Sequence, residues 1–356
     1  MELTRHRSDW WAAILAIGAG LFFLRDILTP FAMAVILWSV IDSLAHAIDR
    51  HVRLRPPWLA QLVAIAVVVS IAALIVAVIV DSIARFALRA DAYQVRLDSL
   101  LAQAHSLARL SGAPPTVQQL FAQFDFRGAI ATTAEVTRVL VVDLGFTLLF
   151  LVFMFSAAAG ASQKLDLVFS QPDERQRARQ VITAIQRSIR SYLLIQIIAS
   201  FVTSVLTWMM LSLIGLDDAL YWAIVIFFLN FVPVIGPIVA IILPTAFALM
   251  QFSSLELVVA TALSVGIWPF LFGNFVLPRM AGRSLNLSPL VVLLALALWS
   301  MLWGVIGAFL ATPLSVMIMI ALAQFPSTRP IAIFMSSDGQ PHVYSPNEAP
   351  ATQAAV

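Results

Sequence analysis

Between Ser191 and Ala323 the chain carries only five formal charges, Asp217, Asp218, Glu256, Arg279 and Arg283, in a stretch that is otherwise almost wholly apolar. Prolines and glycines interrupt it in the runs Asn230-Phe-Val-Pro-Val-Ile-Gly-Pro237 and Trp303-Gly-Val-Ile-Gly307. Lipid cannot satisfy backbone N–H and C=O groups. A segment lying in it is therefore helical, unless irregular backbone is buried in protein or lines a cavity. Helices broken near the bilayer midplane are also where many transporters hold their substrates. The fold class that follows is all-α: a polytopic membrane protein with about six to eight membrane helical segments.

Composition agrees. The chain is 61% hydrophobic and 11% charged, with a mean hydropathy of +0.94, against about 45–50% and about 25% in soluble domains. A pI of 9.4 could suggest nucleic acid, yet the net charge is only +2 and a single lysine, Lys164, stands among 21 basic residues. These residues flank apolar runs instead of forming the clustered face that nucleic acid requires. Basic residues beside spans report topology. There is no cysteine, which excludes disulfides, thiolate metal sites and a cysteine nucleophile.

Residues 1–80 read as N-terminal membrane helices, with candidate spans at Trp10–Leu24, Ile27–Ala45 and Leu59–Val80. The first follows Arg5 and Arg7 like a signal peptide. No small-residue cleavage site leads from it into a polar segment, so it reads as a retained span. Residues 81–138 form an extramembrane insert of two amphipathic helical patterns separated by Ser111-Gly-Ala-Pro-Pro115. A helical cap or oligomer contact is the role that fits it. Residues 139–190 hold a span, Val139–Ala158, and a basic amphipathic helix starting near Pro172 with Asp173 and Glu174 in its first turn. Such a helix suits the anionic cytoplasmic leaflet. Residues 191–325 are the core transport region, opened by the span Tyr192–Leu216, and 326–356, rich in Pro, Ser and Ala, read as a disordered tail.

Two apolar runs have lengths that do not fit simple crossing. Ala219–Met250 has 32 residues and Pro289–Ala323 has 35, so each would be about 50 Å long as one helix, against a core of about 30 Å. Two full spans would need about 40 residues. A re-entrant helical hairpin fits better, with tips at Pro233–Pro237 and Gly304–Gly307. That arrangement keeps Arg279 and Arg283 on the basic, cytoplasmic side. The tips share Val-Ile-Gly, at 234–236 and 305–307, and each is followed by a further proline, Pro244 and Pro313. A degenerate internal repeat would produce this pattern.

Asn230 and Asn274 are neutral amides that can donate and accept. Pro233, Gly236, Pro237, Gly304 and Gly307 would break helices and free carbonyls for a polar solute. Thr245 and Thr312 adjoin Pro244 and Pro313, where a hydroxyl can satisfy a freed backbone group. Together these residues are the expected substrate pathway. Glu256 and Asp143 are candidates for coupling to a proton or sodium ion, although each maps near a span end. Asp42, His46, Asp49 and His51 come nearest to a metal cluster, but they straddle a helix end beside arginines, and no metal site is expected. No glycine-loop lysine motif for nucleotides and no hydrolase constellation is present. No cofactor is expected, and the chain does not read as an enzyme.

The tip motifs, together with Pro278-Arg-Met-Ala-Gly-Arg-Ser-Leu-Asn-Leu-Ser-Pro-Leu290 and Trp303-Gly-Val-Ile-Gly-Ala-Phe-Leu-Ala-Thr-Pro313, resemble the autoinducer-2 exporter (AI-2E) family of bacterial inner-membrane permeases. The likeness runs over essentially the whole chain. It implies a multi-pass homo-oligomer in the bilayer that exports a small polar signalling molecule, while some relatives are assigned to sodium–proton antiport. Trp299 and Ser300 stand where small residues are common, and Arg190-Ser-Tyr-Leu-Leu-Ile-Gln196 lacks a frequent glycine. The competing functions are a cation–proton antiporter and a non-transporting membrane scaffold or regulator.

Overall fold

The structure is a computed structural model that describes residues 18–52, 58–108, 142–157, 171–276 and 286–341, with a few isolated positions between them. The turn at 111–115, the second helix of the insert, Arg279, Arg283 and the first part of the Trp10–Leu24 run lie outside the described residues. Within them the chain is all-α. Its helices are α1 Arg25–Val52, α2 Trp58–Leu88, α3 Ala90–Leu107, α4 Val142–Ala157, α5 Pro172–Ile214, α6 Ala219–Leu229, α7 Ile235–Gln251, α8 Leu255–Leu271, α9 Pro289–Ala323 and α10 Arg329–Met335. A π-helical turn, Phe272–Val276, extends α8. By length and composition five helices could cross a membrane: Arg25–Val52, Trp58–Leu88, Glu174–Ile214, Leu255–Phe275 and Pro289–Ala323. The most apolar of them, α2, is almost unburied, with Val69, Ile71, Leu74 and Val76 facing outward. Such a surface belongs in lipid, where apolar exposure carries no hydration cost.

The helices divide into two compact units: 1–61, 143–195 and 279–356 in the first, 62–142 and 196–278 in the second. In the second unit α7 pairs with α6, α8 and α3. Leu211, Trp222, Ile226, Phe247 and Val265 form the core. Phe86 of α2 meets Tyr221 edge-on at 5.4 Å, and Tyr93 of α3 meets Phe247 edge-on at 5.3 Å. Each such contact contributes about 0.5–1.5 kcal/mol beyond burial.

Charges fix the same elements. The turn between α5 and α6 uses left-handed backbone at Gly215 (φ 80) and Asp218 (φ 54). Gln251 closes it, accepting from the Asp217 N–H at 2.7 Å and donating to the Gly215 carbonyl at 2.8 Å. Arg85 donates to Asp218 at 2.6 Å and also pairs with Asp81. Arg89 pairs with Asp217, to which the Tyr93 hydroxyl donates at 3.3 Å. Arg96 donates to the Phe252 carbonyl at 3.2 Å. The first half of the insert is therefore bolted to the base of the α6–α7 pair.

Burial, reinforced by the Asp217 charge, pushes the Tyr93 hydroxyl above its ordinary pKa of 10.0. A raised folded pKa contributes stability that is intact below the unfolded value and lost as pH climbs through the folded one. Tyr93→Phe is thus expected to cost about 1 kcal/mol at neutral pH, from the lost hydrogen bond, and to flatten the alkaline decline. Thermal unfolding in detergent over a pH series above neutrality checks this: parallel curves for both proteins would remove Tyr93 as the alkaline group.

In the first unit α1 and α10 both pack on α9, and Phe31 of α1 meets Phe150 of α4 edge-on at 5.6 Å. The expectation of disorder from Pro326 onward does not hold for residues up to 341. Helix α10 packs Ala332 against Met319 and Ala323. Ser288 N–H donates to the Met335 carbonyl at 2.9 Å, Ser337 N–H to the Asn286 carbonyl at 3.0 Å, and Leu287 bridges Ser336. Low hydrophobicity hid this order because the segment is held by small Ala332 packed on α9 and by backbone pairing with 286–288.

Candidate functional site: two broken helical hairpins and a polar stripe

Both long apolar runs double back. In the first, α6 ends at Leu229 and the chain turns through 230–234 before α7. Val234 has φ 62 and ψ −57, and the Ile235 N–H donates across it to the Pro233 carbonyl at 2.6 Å. This is a γ-turn, and a β-branched residue at positive φ is a strained choice. Strain of this kind gathers at functional sites. In the second run the helical path breaks at Gly304 (φ 63, ψ −140). The Trp299 indole N–H donates to Ser315 Oγ at 3.4 Å, whereas residues so far apart in a straight helix would be separated by about 24 Å. Length and apolarity make α9 long enough for a span, but the fold at Gly304 rules out one straight crossing.

One glycine in each hairpin lets the arms meet. A Cβ on Gly236 would overlap the Leu229 carbonyl oxygen, and a Cβ on Gly307 would overlap that of Trp299 and crowd the Trp303 side chain. Both glycines are buried. The Val-Ile-Gly likeness of the two tips thus has a steric counterpart.

The first tip is tied to α5. Asn230 Nδ2 donates to Thr203 Oγ1 at 2.9 Å, and the Asn230 carbonyl accepts from Gln196 Nε2 at 2.7 Å. Gln196 also reaches Ser200 Oγ at 3.3 Å. Gln196, Ser200, Thr203, Ser204 and Thr207 repeat at helical spacing, so α5 carries a polar stripe through an apolar span. Ser200, Thr203, Ser204 and Thr207 are all buried. The hydroxyls of Ser204, Thr207 and Thr245 are buried and make no hydrogen bond to any described residue. Buried hydroxyls are normally paired, so these are groups that a polar solute or water would satisfy. Of this arrangement the sequence points to Asn230 and Thr245, and not to the α5 stripe. The stripe was detectable as a polar row of period 3.6 between Tyr192 and Leu216.

The remaining anticipated residues separate. Pro233, Gly236, Pro237 and Thr245 belong with the first hairpin; Gly304, Gly307, Thr312 and Pro313 belong with the second, in the other unit. Thr312 and Pro313 are buried, with Thr312 beside the buried Tyr192 side chain. Asn274 is exposed on the π-helical turn, where Nδ2 donates to its own helix at Phe270 O, 2.8 Å away. Glu256 is exposed in the first turn of α8, a position that complements the helix dipole. Asp143 sits at the start of α4, near Asp26. His46 and His51 each donate through Nδ1 to a carbonyl of their own helix, at 2.7 and 2.9 Å.

Lipid-facing apolar helices, two folded runs and buried polar groups beside a strained tip define a multi-pass membrane protein of the transporter class. Residues 11–327 match the family described as AI-2E family transporter. The chain belongs to that family. It is 28% identical over 332 residues to the AI-2 transport protein TqsA of Escherichia coli (strain K12), covering 91% of this chain and 93% of TqsA. A Haemophilus influenzae relative is 29% identical over 332 residues, 91% of this chain and 94% of its own. YhhT of Escherichia coli (strain K12) is 26% identical over 312 residues, 85% of this chain and 86% of YhhT. A transport role follows from this membership.

Proposed function

We propose that the chain is a secondary transporter of the bacterial inner membrane that exports a small polar signalling molecule, autoinducer-2-like, past the first hairpin tip, and that it works as a homo-oligomer. The similarity to TqsA, an AI-2 transport protein, supports the substrate class. The observation that carries the reading is the Gln196–Asn230–Thr203 tie, which sets polar groups and a strained tip side by side in an apolar span. Each hairpin would enter and leave by the same membrane face, the first from outside and the second from the cytoplasm. A scaffold has no use for broken, polar-lined backbone at this position. For antiport the two carboxylates are poorly placed, since Glu256 is exposed at a helix start and Asp143 lies at another.

The test is flux in proteoliposomes loaded with autoinducer-2 and other small polyols. Gln196→Leu and Thr203→Val each strand a polar partner, a loss of about 1–3 kcal/mol. If the tie shapes the path, flux falls about tenfold or more, at 1.36 kcal/mol per decade, while membrane insertion persists. Glu256→Gln and Asp143→Asn should leave it unchanged. Undiminished flux in both stripe variants would refute the tip as the pathway.

A further inference from the structure

A cleft of about 330 Å³ lies in the first unit between α1 and the basic half of α5. None of the residues that line it belongs to either hairpin. Its two walls differ in chemistry. The α5 wall presents Gln186, Arg187 and Arg190, all exposed. The α1 wall presents Ser39, Asp42 and Ser43. The Ser39 hydroxyl donates to the Val35 carbonyl at 2.9 Å and the Ser43 hydroxyl to the Ser39 carbonyl at 2.6 Å. Both protons are therefore committed to the helix, and the two oxygens face the cleft as acceptors. One wall donates and the other accepts.

A simple cation would meet two guanidiniums, and a simple anion would meet the Asp42 carboxylate. A molecule with an anionic head and free hydroxyls satisfies both walls. Guanidinium forks suit phosphate oxygens, and each guanidinium has five donors, enough to serve a ligand beside any protein partner. Hydroxyl groups suit the Asp42, Ser39 and Ser43 acceptors. The cavity volume lies at the lower end of small-molecule sites, which begin at about 300 Å³. We propose that this cleft binds a phosphate ester carrying free hydroxyls, the chemistry of a glycerol-phosphate head. Arg187 and Arg190 hold the phosphate, and Asp42 selects the hydroxyls. The source is an anionic lipid headgroup or a soluble polyol phosphate.

Native mass spectrometry of the delipidated, full-length protein tests this, titrating short-chain phosphatidylglycerol, phosphatidic acid and free glycerol 3-phosphate in turn. Phosphatidylglycerol is expected to bind more tightly than phosphatidic acid, which shares the phosphate but lacks the hydroxyls. The double variant R187Q/R190Q should weaken binding about tenfold or more, a decade per 1.4 kcal/mol, and R187K/R190K should retain part of it. Asp42→Asn should erase the preference for phosphatidylglycerol while leaving phosphatidic acid binding in place. Binding of the lipid without the free ester assigns a lipid site; binding of both assigns a soluble-ligand site. The proposal is overturned if none of the three binds, if R187Q/R190Q binds like the parent with an unchanged melting temperature, or if the parent shows no preference between the two lipids.

Discussion

Gly307→Ala is expected to destabilise the protein by about 3 kcal/mol, the upper part of the range for forcing an extra carbon into packed structure. Gly236→Ala should cost a similar amount. In an ordinary helix the same change would stabilise by about 1 kcal/mol, because glycine is the poorer helix former. The sign reverses because each added Cβ meets a backbone carbonyl of the opposite arm, at Trp299 and at Leu229, not the end of a flexible side chain. A carbonyl in a hairpin arm cannot rotate away without opening the tip. Gly145, in α4, is the internal control: nothing lies within 4 Å of its would-be Cβ, so Gly145→Ala should be neutral or stabilising. Thermal unfolding of the three variants in detergent separates the cases. If Gly236→Ala and Gly307→Ala melt like Gly145→Ala, the arms do not approach as closely as described.

Much of this was visible in the sequence. The sparse charges fixed an all-α membrane chain, and run length together with the Pro and Gly positions located both hairpins, because a helix too long for the bilayer has few alternatives. Asn230 stood out as an amide in apolar surroundings, and it does hold the first tip to α5. Its partners were hidden by their chemistry. Serine and threonine can bond to their own helix, as Thr203 also does to Ala199, so each alone carries no signal. Only their shared face distinguishes them, and that depends on which side of α5 meets the hairpin. The fastening of the α2–α3 junction was illegible for a related reason. Arg85, Arg89, Asp217 and Asp218 lie far apart in the chain, and charges at span ends read first as topology markers. Asn274 and Glu256, singled out by residue type, stand at their own helix ends, where Asn274 bonds to Phe270 O and Glu256 lies in the first turn of α8.

The Arg85–Asp218 pair yields the second large effect. The Asp218 side chain is 3% exposed while that of Arg85 is 42% exposed, so the carboxylate is the member that depends on its partner. Removing one half of a buried pair costs about 3–5 kcal/mol, because the other charge remains buried and unmatched. Partial exposure of Arg85 admits water and screening, which brings Arg85→Leu down to about 2 kcal/mol. Asp218→Asn keeps the shape and leaves Arg85 paired with Asp81, so it should cost about 1 kcal/mol. The double variant carries no stranded carboxylate and is expected to be more stable than Arg85→Leu alone, a coupling that thermal unfolding of the four proteins would reveal. Strict additivity would mean that Asp218 finds enough solvent without Arg85, and that the aromatic contacts of Phe86 and Tyr93 hold the end of α2 and the start of α3 to the hairpin base. A coupling of the expected sign would instead make the charge pair the fastening, since those aromatic contacts are the same in all four proteins.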